Sequence, residues 1–347
     1  MTEQHSSAAA PAALPADVQI LQMALAPFAT QALYVAAKLG IADLLSAGPK
    51  TAEELAVATE THERSLYRVL RALASVGVFS ETDRGTFVNT PASETLKDDA
   101  PNSTRNLIIF IGEEPHWRNI GYTMHSVKTG KPAWEHAHGE PLFSYMFNTN
   151  KELGEIFNRS MISLSHQDIG PVLSAYDFSG VEKLADIAGG YGHLLAAVLK
   201  KYPSMSGVLF EVPQLLAGAR NFIESSGVAD RVEFVDGDFC TEIPVRADVY
   251  MLKHIIHDWY DDTNQMILQN IRKNMPDEGR VLIIDAVIPS GNGPHLKKLL
   301  DIEMLIAPGG VERTAEEFEM LLNTSGFRLN RIIPTASPND IIEAVKA

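Results

Sequence analysis

An α/β fold with a mainly parallel, Rossmann-like sheet, behind an N-terminal helical domain of winged-helix order, is predicted by three features of the sequence. From about Lys183 onward, short apolar runs (KLADIAG, GVLFEV, VEFVDG, ADVYMLKHI, RVLIIDAV) alternate with helical segments, which is the pattern of βαβ units. The first of these runs enters a glycine-rich turn and then a helix, the place where α/β sheets hold nucleotide-like ligands. Before about Leu96 the apolar residues recur instead at helical spacing.

The bulk numbers limit what such a fold can serve. A chain of 347 residues, 45% hydrophobic and 21% charged, can bury a sizeable core in one large domain or two ordinary ones. A net charge of −15 argues against a nucleic-acid partner, because phosphate contact needs a basic surface. The single cysteine, Cys240, excludes an internal disulfide framework and fits a reducing, cytoplasmic compartment. No apolar run is read as reaching the roughly 20 residues of a membrane helix, so no membrane partner is expected.

The elements follow in order. Residues 1–16, rich in Ala, Ser and Pro and without a signal peptide's basic start or apolar segment, read as a disordered tail. Residues 17–100 form the helical domain: a long apolar helix, a shorter one after Gly40, two more across TAEELAVATETHERSLYRVLRALASVGVF, and a hairpin turning at Asp83–Gly85. Thr51 and Glu54 have capping-box spacing. Acidic charge favours packing or dimerisation over DNA binding for this winged-helix order. Residues 101–180 read as a helical connector and pocket region with the aromatic stretch GKPAWEHAHGEPLFSYMF, and residues 181–347 as the α/β domain. FRLNRIIPT and DIIEAVKA, separated only by ASPN, predict a closing antiparallel hairpin.

The glycine turn, Asp186-Ile-Ala-Gly-Gly-Tyr-Gly-His193, matches neither the dinucleotide fingerprint, whose third glycine would be Leu195, nor a P-loop. Asp186 at the strand end would repel a pyrophosphate and suits a ligand bearing an amino group. Glu211, ending the second strand, stands where a carboxylate holds ribose hydroxyls. Asp238 after Gly237 offers an acceptor for an exocyclic amine, and Phe239 an aromatic face for a base. An amine binder, a ribose binder and an adenine binder without a phosphate binder match S-adenosylmethionine (SAM), whose sulfonium is attracted to aromatic faces. Each residue also has a structural reading: Asp186 as a helix N-cap, Glu211 as a surface charge, Gly237–Asp238 as an ordinary turn. Their order at successive strand ends favours the ligand.

LKHIIHDWYDD carries His254 and His257 after the fourth strand. Neither the spacing nor the glutamate of a His-Glu-x-x-His metal site is present and no cysteine is near, so no metal is expected. The carboxyl edge of the sheet is where α/β folds place chemistry, which favours His257 as a general base. With an ordinary pKa near ~6.5, its imidazole would be largely free at neutral pH to accept a phenolic proton. His254 points elsewhere along the strand and lines the pocket or packs.

DIAGGYGHL, GVLFEVPQL, VDGDF, LKHIIHDWYDD and PGGVERTAEEF together resemble the class I small-molecule O-methyltransferases that use SAM, such as the plant caffeate and flavonoid, acetylserotonin and bacterial polyketide-tailoring enzymes. The resemblance covers nearly the whole chain. It implies a SAM-methyltransferase domain with an N-terminal dimerisation domain, a homodimer, and a small aromatic substrate methylated on a hydroxyl. It implies that Gly189, Gly190 and Gly192 approach the methionine moiety beside Asp186, that Glu211 binds the ribose, and that Asp238 and Phe239 contact the adenine. Lys253 would lie on the cofactor wall, and Ser165 would reach the methionine carboxylate. His257 matches the base, bracketed by Asp285 and Glu312, and Phe157, Met161 and Met304 match substrate-pocket positions; His254 and Asp258 are read as further pocket candidates from their place beside His257. Ala188 stands for the first of three glycines, and Asp285 for the usual glutamate, one methylene shorter. A non-methylating use of bound SAM and a ligand-sensing winged-helix regulator are the alternatives. His257 with its acids argues against the first, and acidic charge against the second.

Overall fold

The computed structural model describes residues 14–347 and divides into two units, one ending at Gly112 and one running from Glu113 to Ala347. Most of the expected tail, residues 1–13, lies outside the described residues, and the first helix already begins at Ala16.

That helix, Ala16–Lys38, ends where Gly40 adopts a positive φ of 64°. Contrary to the sequence expectation, it is long and apolar enough to cross a membrane by length and composition. Gln19, Gln22 and Gln31 interrupt the run without lowering its average enough. Only Ala36 and Ala37 are buried along it, while Ile20, Leu21, Met23, Leu25 and Phe28 are exposed. A face of that kind calls for a covering partner.

The capping box forms as its spacing predicts. Glu54 N donates to Thr51 Oγ1 at 3.2 Å and Thr51 N to Glu54 Oε2 at 2.7 Å, starting helix Ala52–Thr59. Helix Glu63–Ser75 buries Leu66, Leu70 and Leu73 against Leu55, Phe79 and Phe87. Truncating one such leucine to alanine costs about 2–5 kcal/mol. Strands β1 (Lys50–Thr51), β2 (Phe79–Glu81) and β3 (Thr86–Asn89) form an antiparallel sheet in the order β1-β3-β2, completing the winged-helix order. Helix Arg105–Gly112 belongs to this unit rather than to the connector expected from residue 101. Its Arg105 donates to Ala37 O at 3.0 Å and to Asp43 Oδ2 at 3.1 Å, capping the carbonyl end of the first helix.

In the second unit, β4 (Lys183–Ile187), β5 (Ser206–Glu211), β6 (Val232–Asp236), β7 (Val249–Lys253), β8 (Arg280–Asp285), β9 (Phe327–Ile333) and β10 (Asp340–Lys346) form one sheet ordered β6-β5-β4-β7-β8-β10-β9. β4 to β8 pair in parallel, whereas β10 pairs antiparallel with both β8 and β9. The strands read as continuous apolar runs because both faces are covered. Ala185, Val208, Tyr250 and Leu252 face one core, and Leu184, Leu209, Val249 and Met251 the other. Strand order reverses between β4 and β7, which opens a crevice at their carboxyl ends. Asp186, Glu211, Lys253 and Asp285 all sit at or next to the carboxyl end of their strands.

Candidate active site

The glycine turn after β4 is shaped by three positive φ angles, at Ala188 (54°), Gly190 (60°) and Gly192 (79°). At Gly189 the constraint is space, since a Cβ would lie 2.4 Å from the Asp186 carboxyl. Asp186 is 2% exposed, and burial raises its pKa to about 7, against Lys253 and the Leu195 amide in the first turn of the next helix. Glu211 is buried, not a surface charge. Its Oε2 accepts from Gly190 N at 2.8 Å and its Oε1 from Val212 N at 2.7 Å, so it staples the glycine turn to β5. Burial nonetheless lifts it to about 7.

Asp238 is exposed and makes the local turn foreseen as its structural reading, accepting from Cys240 N at 2.8 Å and Thr241 Oγ1 at 3.3 Å. Phe239 meets Trp259 edge-on at 5.8 Å. Trp259 also stacks on Phe143 at 5.9 Å, and Phe143 meets Phe157 at 6.2 Å. An aromatic wall thus joins the end of β6, the turn holding His257 and helix Lys151–Ala175. On that helix Ser165 is buried and Met161 half-buried, and Ser165 is three residues, one helical turn, before Asp168.

His257 sits in a short turn, Ile256–Asp258, and is 8% exposed. Its Nδ1 is 3.2 Å from Glu312 Oε1 and 3.7 Å from Asp285 Oδ1, and its Nε2 is 3.6 Å from Asp258 Oδ1. Burial alone would lower its pKa, but Asp285, Asp258 and Glu312 outweigh it and raise it to about 9. This corrects the expectation of an imidazole near its ordinary value. Burial raises the neighbouring acids, Asp285 to about 6 and Asp258 to about 7, while Glu312 falls because His257 and Lys297 more than offset its burial.

Lys253 lies among Asp168, Asp186 and Asp285, which favour its charge while burial lowers its pKa. His254, at φ 56°, is held between Asn339 Nδ2 at 2.7 Å and Asp168 Oδ2 at 3.4 Å. Burial and the nearby cations put its pKa well below the usual range, so it stays neutral. Its neighbours account for it as a packed residue, with its ring 5.4 Å from that of His257.

Several contacts of this site are long-range ones that no local stretch of sequence specifies. A Cβ at Gly310 would fall 1.9 Å from His257 O. Val311 N donates to that same oxygen at 2.8 Å, and Glu312 N donates to Asp301 Oδ1 at 2.9 Å. Met304 O accepts from Gly309 N and Gly310 N, so this half-buried residue closes the turn through its backbone. Arg313, 2% exposed, donates to Ile256 O at 3.0 Å, Trp259 O at 3.1 Å and Asp261 Oδ1 at 2.7 Å, which pins the His257 turn from behind. Asn264 Nδ2 binds the same two carbonyls at 2.8 Å each. A buried arginine in PGGVERT, beside the assigned Glu312, was the available clue. Arg313→Lys cannot reproduce this fork and is expected to cost about 1–3 kcal/mol. Denaturant unfolding would check this, and an unchanged midpoint would deny Arg313 that role.

Comparison with known proteins follows the same division of the chain. Residues 21–99 match the O-methyltransferase dimerisation domain, and residues 117–328 match the O-methyltransferase domain. The chain is 42% identical over 346 residues, 99% of each protein, to the phenazine O-methyltransferase PhzM of Lysobacter antibioticus. It is 39% identical, over 100% of its own length and 99% of the relative's, to the mitomycin biosynthesis 6-O-methyltransferase of Streptomyces lavendulae. The SAH-bound structure of CalO1, a methyltransferase in calicheamicin biosynthesis, is 36% identical and superposes with a TM-score of 0.84, covering 95% of this chain and 98% of that one.

Proposed function

The chain belongs to the SAM-dependent O-methyltransferase family of small-molecule tailoring enzymes, and we propose that it methylates a hydroxyl of a small aromatic molecule with His257 as general base. The observation that carries this reading is the grip on His257. Nδ1 is held by Glu312 with Asp285 behind it, at the carboxyl end of β7 beside the aromatic wall.

The cofactor crevice suits SAM on its own chemistry. The Gly190 amide, which a phosphate would need, is already donated to Glu211. Two buried acids, Asp186 and Glu211, favour a cationic ligand with hydroxyl and amino groups. Glu211 would take the ribose hydroxyls, Asp186 the amino group, Ser165 the carboxylate, and Phe239 with Asp238 the adenine. Lys253 would balance the acids beneath. Bound there, SAM supplies an electrophilic methyl group on a sulfonium.

The chain supplies the proton chemistry and the alignment. His257 Nε2 takes the phenolic proton as the oxygen attacks, and its Nδ1–H donates to Glu312, which fixes the tautomer. Glu312 and Asp285 then stabilise the imidazolium, and the proton leaves to solvent. The raised pKa works in two directions. It leaves few imidazoles free at neutral pH, yet it brings the base within about one unit of a phenol near ~10. Alignment by the aromatic wall adds more, since orientation can be worth about 7–11 kcal/mol. No metal is called for. The dimerisation domain and the exposed apolar face of helix Ala16–Lys38 support a homodimer.

A screen of phenolic acceptors with methyl-labelled SAM tests the reading. Label is expected on at least one phenol, and chelator should leave the rate unchanged. Tight SAM binding with no labelled product across the panel would count against it. With a methylated acceptor in hand, kcat/KM should rise about tenfold per pH unit below about pH 9 and level off above, because only unprotonated His257 can act. A flat profile from pH 6 to 9 would show that His257 does not titrate as the base.

A further inference from the structure

Lys297 is a buried cation for which neither cofactor nor acceptor chemistry has accounted. It stands near the start of helix Leu296–Ile306, 7% exposed, with Nζ 3.4 Å from Glu312 Oε1. That is the oxygen His257 Nδ1 holds at 3.2 Å, and the other oxygen of Glu312 is buried without a hydrogen-bond partner. Two cations therefore share one carboxylate oxygen. A buried ammonium is costly and persists only where a carboxylate compensates it. A leucine or methionine would fill the same space without that cost, so the charge calls for an explanation.

We propose that Lys297 is a positioning residue: by sharing Glu312 Oε1 with His257 Nδ1, it sets how firmly the imidazole holds its proton. The groups facing His257 come from every element around it. Asp258 comes from its own turn, Asp285 from β8, Glu312 from the segment after helix Leu296–Ile306, and His254 from the end of β7. Lys253 and Arg313 act on these neighbours from further out. Against three carboxylates, a protonated His257 leaves one excess negative charge with Lys297 present and two without it. Removing Lys297 therefore strengthens the hold on the proton and gives Glu312 wholly to His257. The consequence for turnover rests on His257 being the base, but the effect on its protonation does not.

The test is Lys297→Met, which keeps the stem and removes the charge, beside Lys297→Arg, which keeps the charge. Imidazole titration of the substrate-free full chain is followed by NMR with labelled histidine, the His257 signal being assigned by its loss in His257→Ala. The His257 midpoint is expected to rise by about one pH unit in the Met variant and to stay within a few tenths in the Arg variant. The rising limb of kcat/KM should move with it. If the midpoint moves and the kinetic limb does not, the proposal stands and the base assignment falls. An unchanged or lowered midpoint in the Met variant would overturn the proposal. So would an unchanged midpoint with a raised acceptor KM, which would make Lys297 an acceptor contact. Lys297→Gln gives the same readings if the Met variant fails to fold.

Discussion

His257→Ala is expected to lower methyl transfer by about 10²-fold or more at neutral pH while leaving SAM binding intact. The imidazole is the group whose Nδ1 is fixed by Glu312 at 3.2 Å, and Asp258, 3.6 Å from its Nε2 and raised only to about 7, is the weaker base toward a phenol. The neighbouring imidazole, His254, is locked by Asn339 and Asp168 and kept neutral with its pKa well below the usual range. Such a weak base cannot take a phenolic proton efficiently. Raising the pH should partly rescue the variant, because the phenoxide then forms without help. The loss should appear in kcat/KM for the acceptor, with calorimetric affinity for SAM within a factor of a few of wild type. Turnover near wild type would mean that alignment suffices and that His257 is not the base.

The second large effect is on cofactor affinity. Glu211→Ala should weaken SAM binding by roughly 10- to 150-fold, since a hydrogen bond to a charged group is worth about 1.5–3 kcal/mol. The same change frees the amides of Gly190 and Val212, which loosens the glycine turn. Glu211→Gln keeps one carbonyl acceptor and should lose less. The sign of the pH dependence follows from the raised acids. As pH rises through about 7, Glu211 and Asp186 gain charge and SAM affinity should increase. Calorimetry showing unchanged affinity for Glu211→Ala would remove this residue from the site.

Much of this site could be read in the sequence because it lies at strand ends, where a short local pattern fixes position. Asp186, Glu211 and Lys253 are placed by the apolar runs that precede them, and His257 by the turn that follows β7. Thr51 with Glu54, and the turn at Asp83–Gly85, depend on neighbours a few residues away and form as their spacing implies. What could not be read depends on partners distant in the chain. Asp168 and Asn339 meet through one hydrogen bond of 2.9 Å, yet nothing in either local stretch refers to the other. Asp258 is adjacent in sequence, but two of the three acids that raise the His257 pKa are brought in by β8 and by the segment around Gly310, so its ordinary pKa was a poor guide. Asp238 shows the opposite case, where a local turn engages the very carboxylate expected to await a ligand. Helix Ala16–Lys38 contains no unbroken apolar run of that length, yet its average apolarity over the helix is high enough to span a membrane by length and composition.

The claim that His257 acts as a base, rather than only as part of the wall, is tested most directly by varying the acidity of the acceptor. Methyl transfer by wild type and His257→Ala would be compared at neutral pH on an ordinary phenol and on a nitrophenol of similar shape that is already ionised. If His257 removes the proton, the variant's loss of about 10²-fold or more on the phenol should shrink to a few-fold on the nitrophenol. An equal loss on both acceptors would show that His257 positions the substrate and takes no proton, and it would contradict the account.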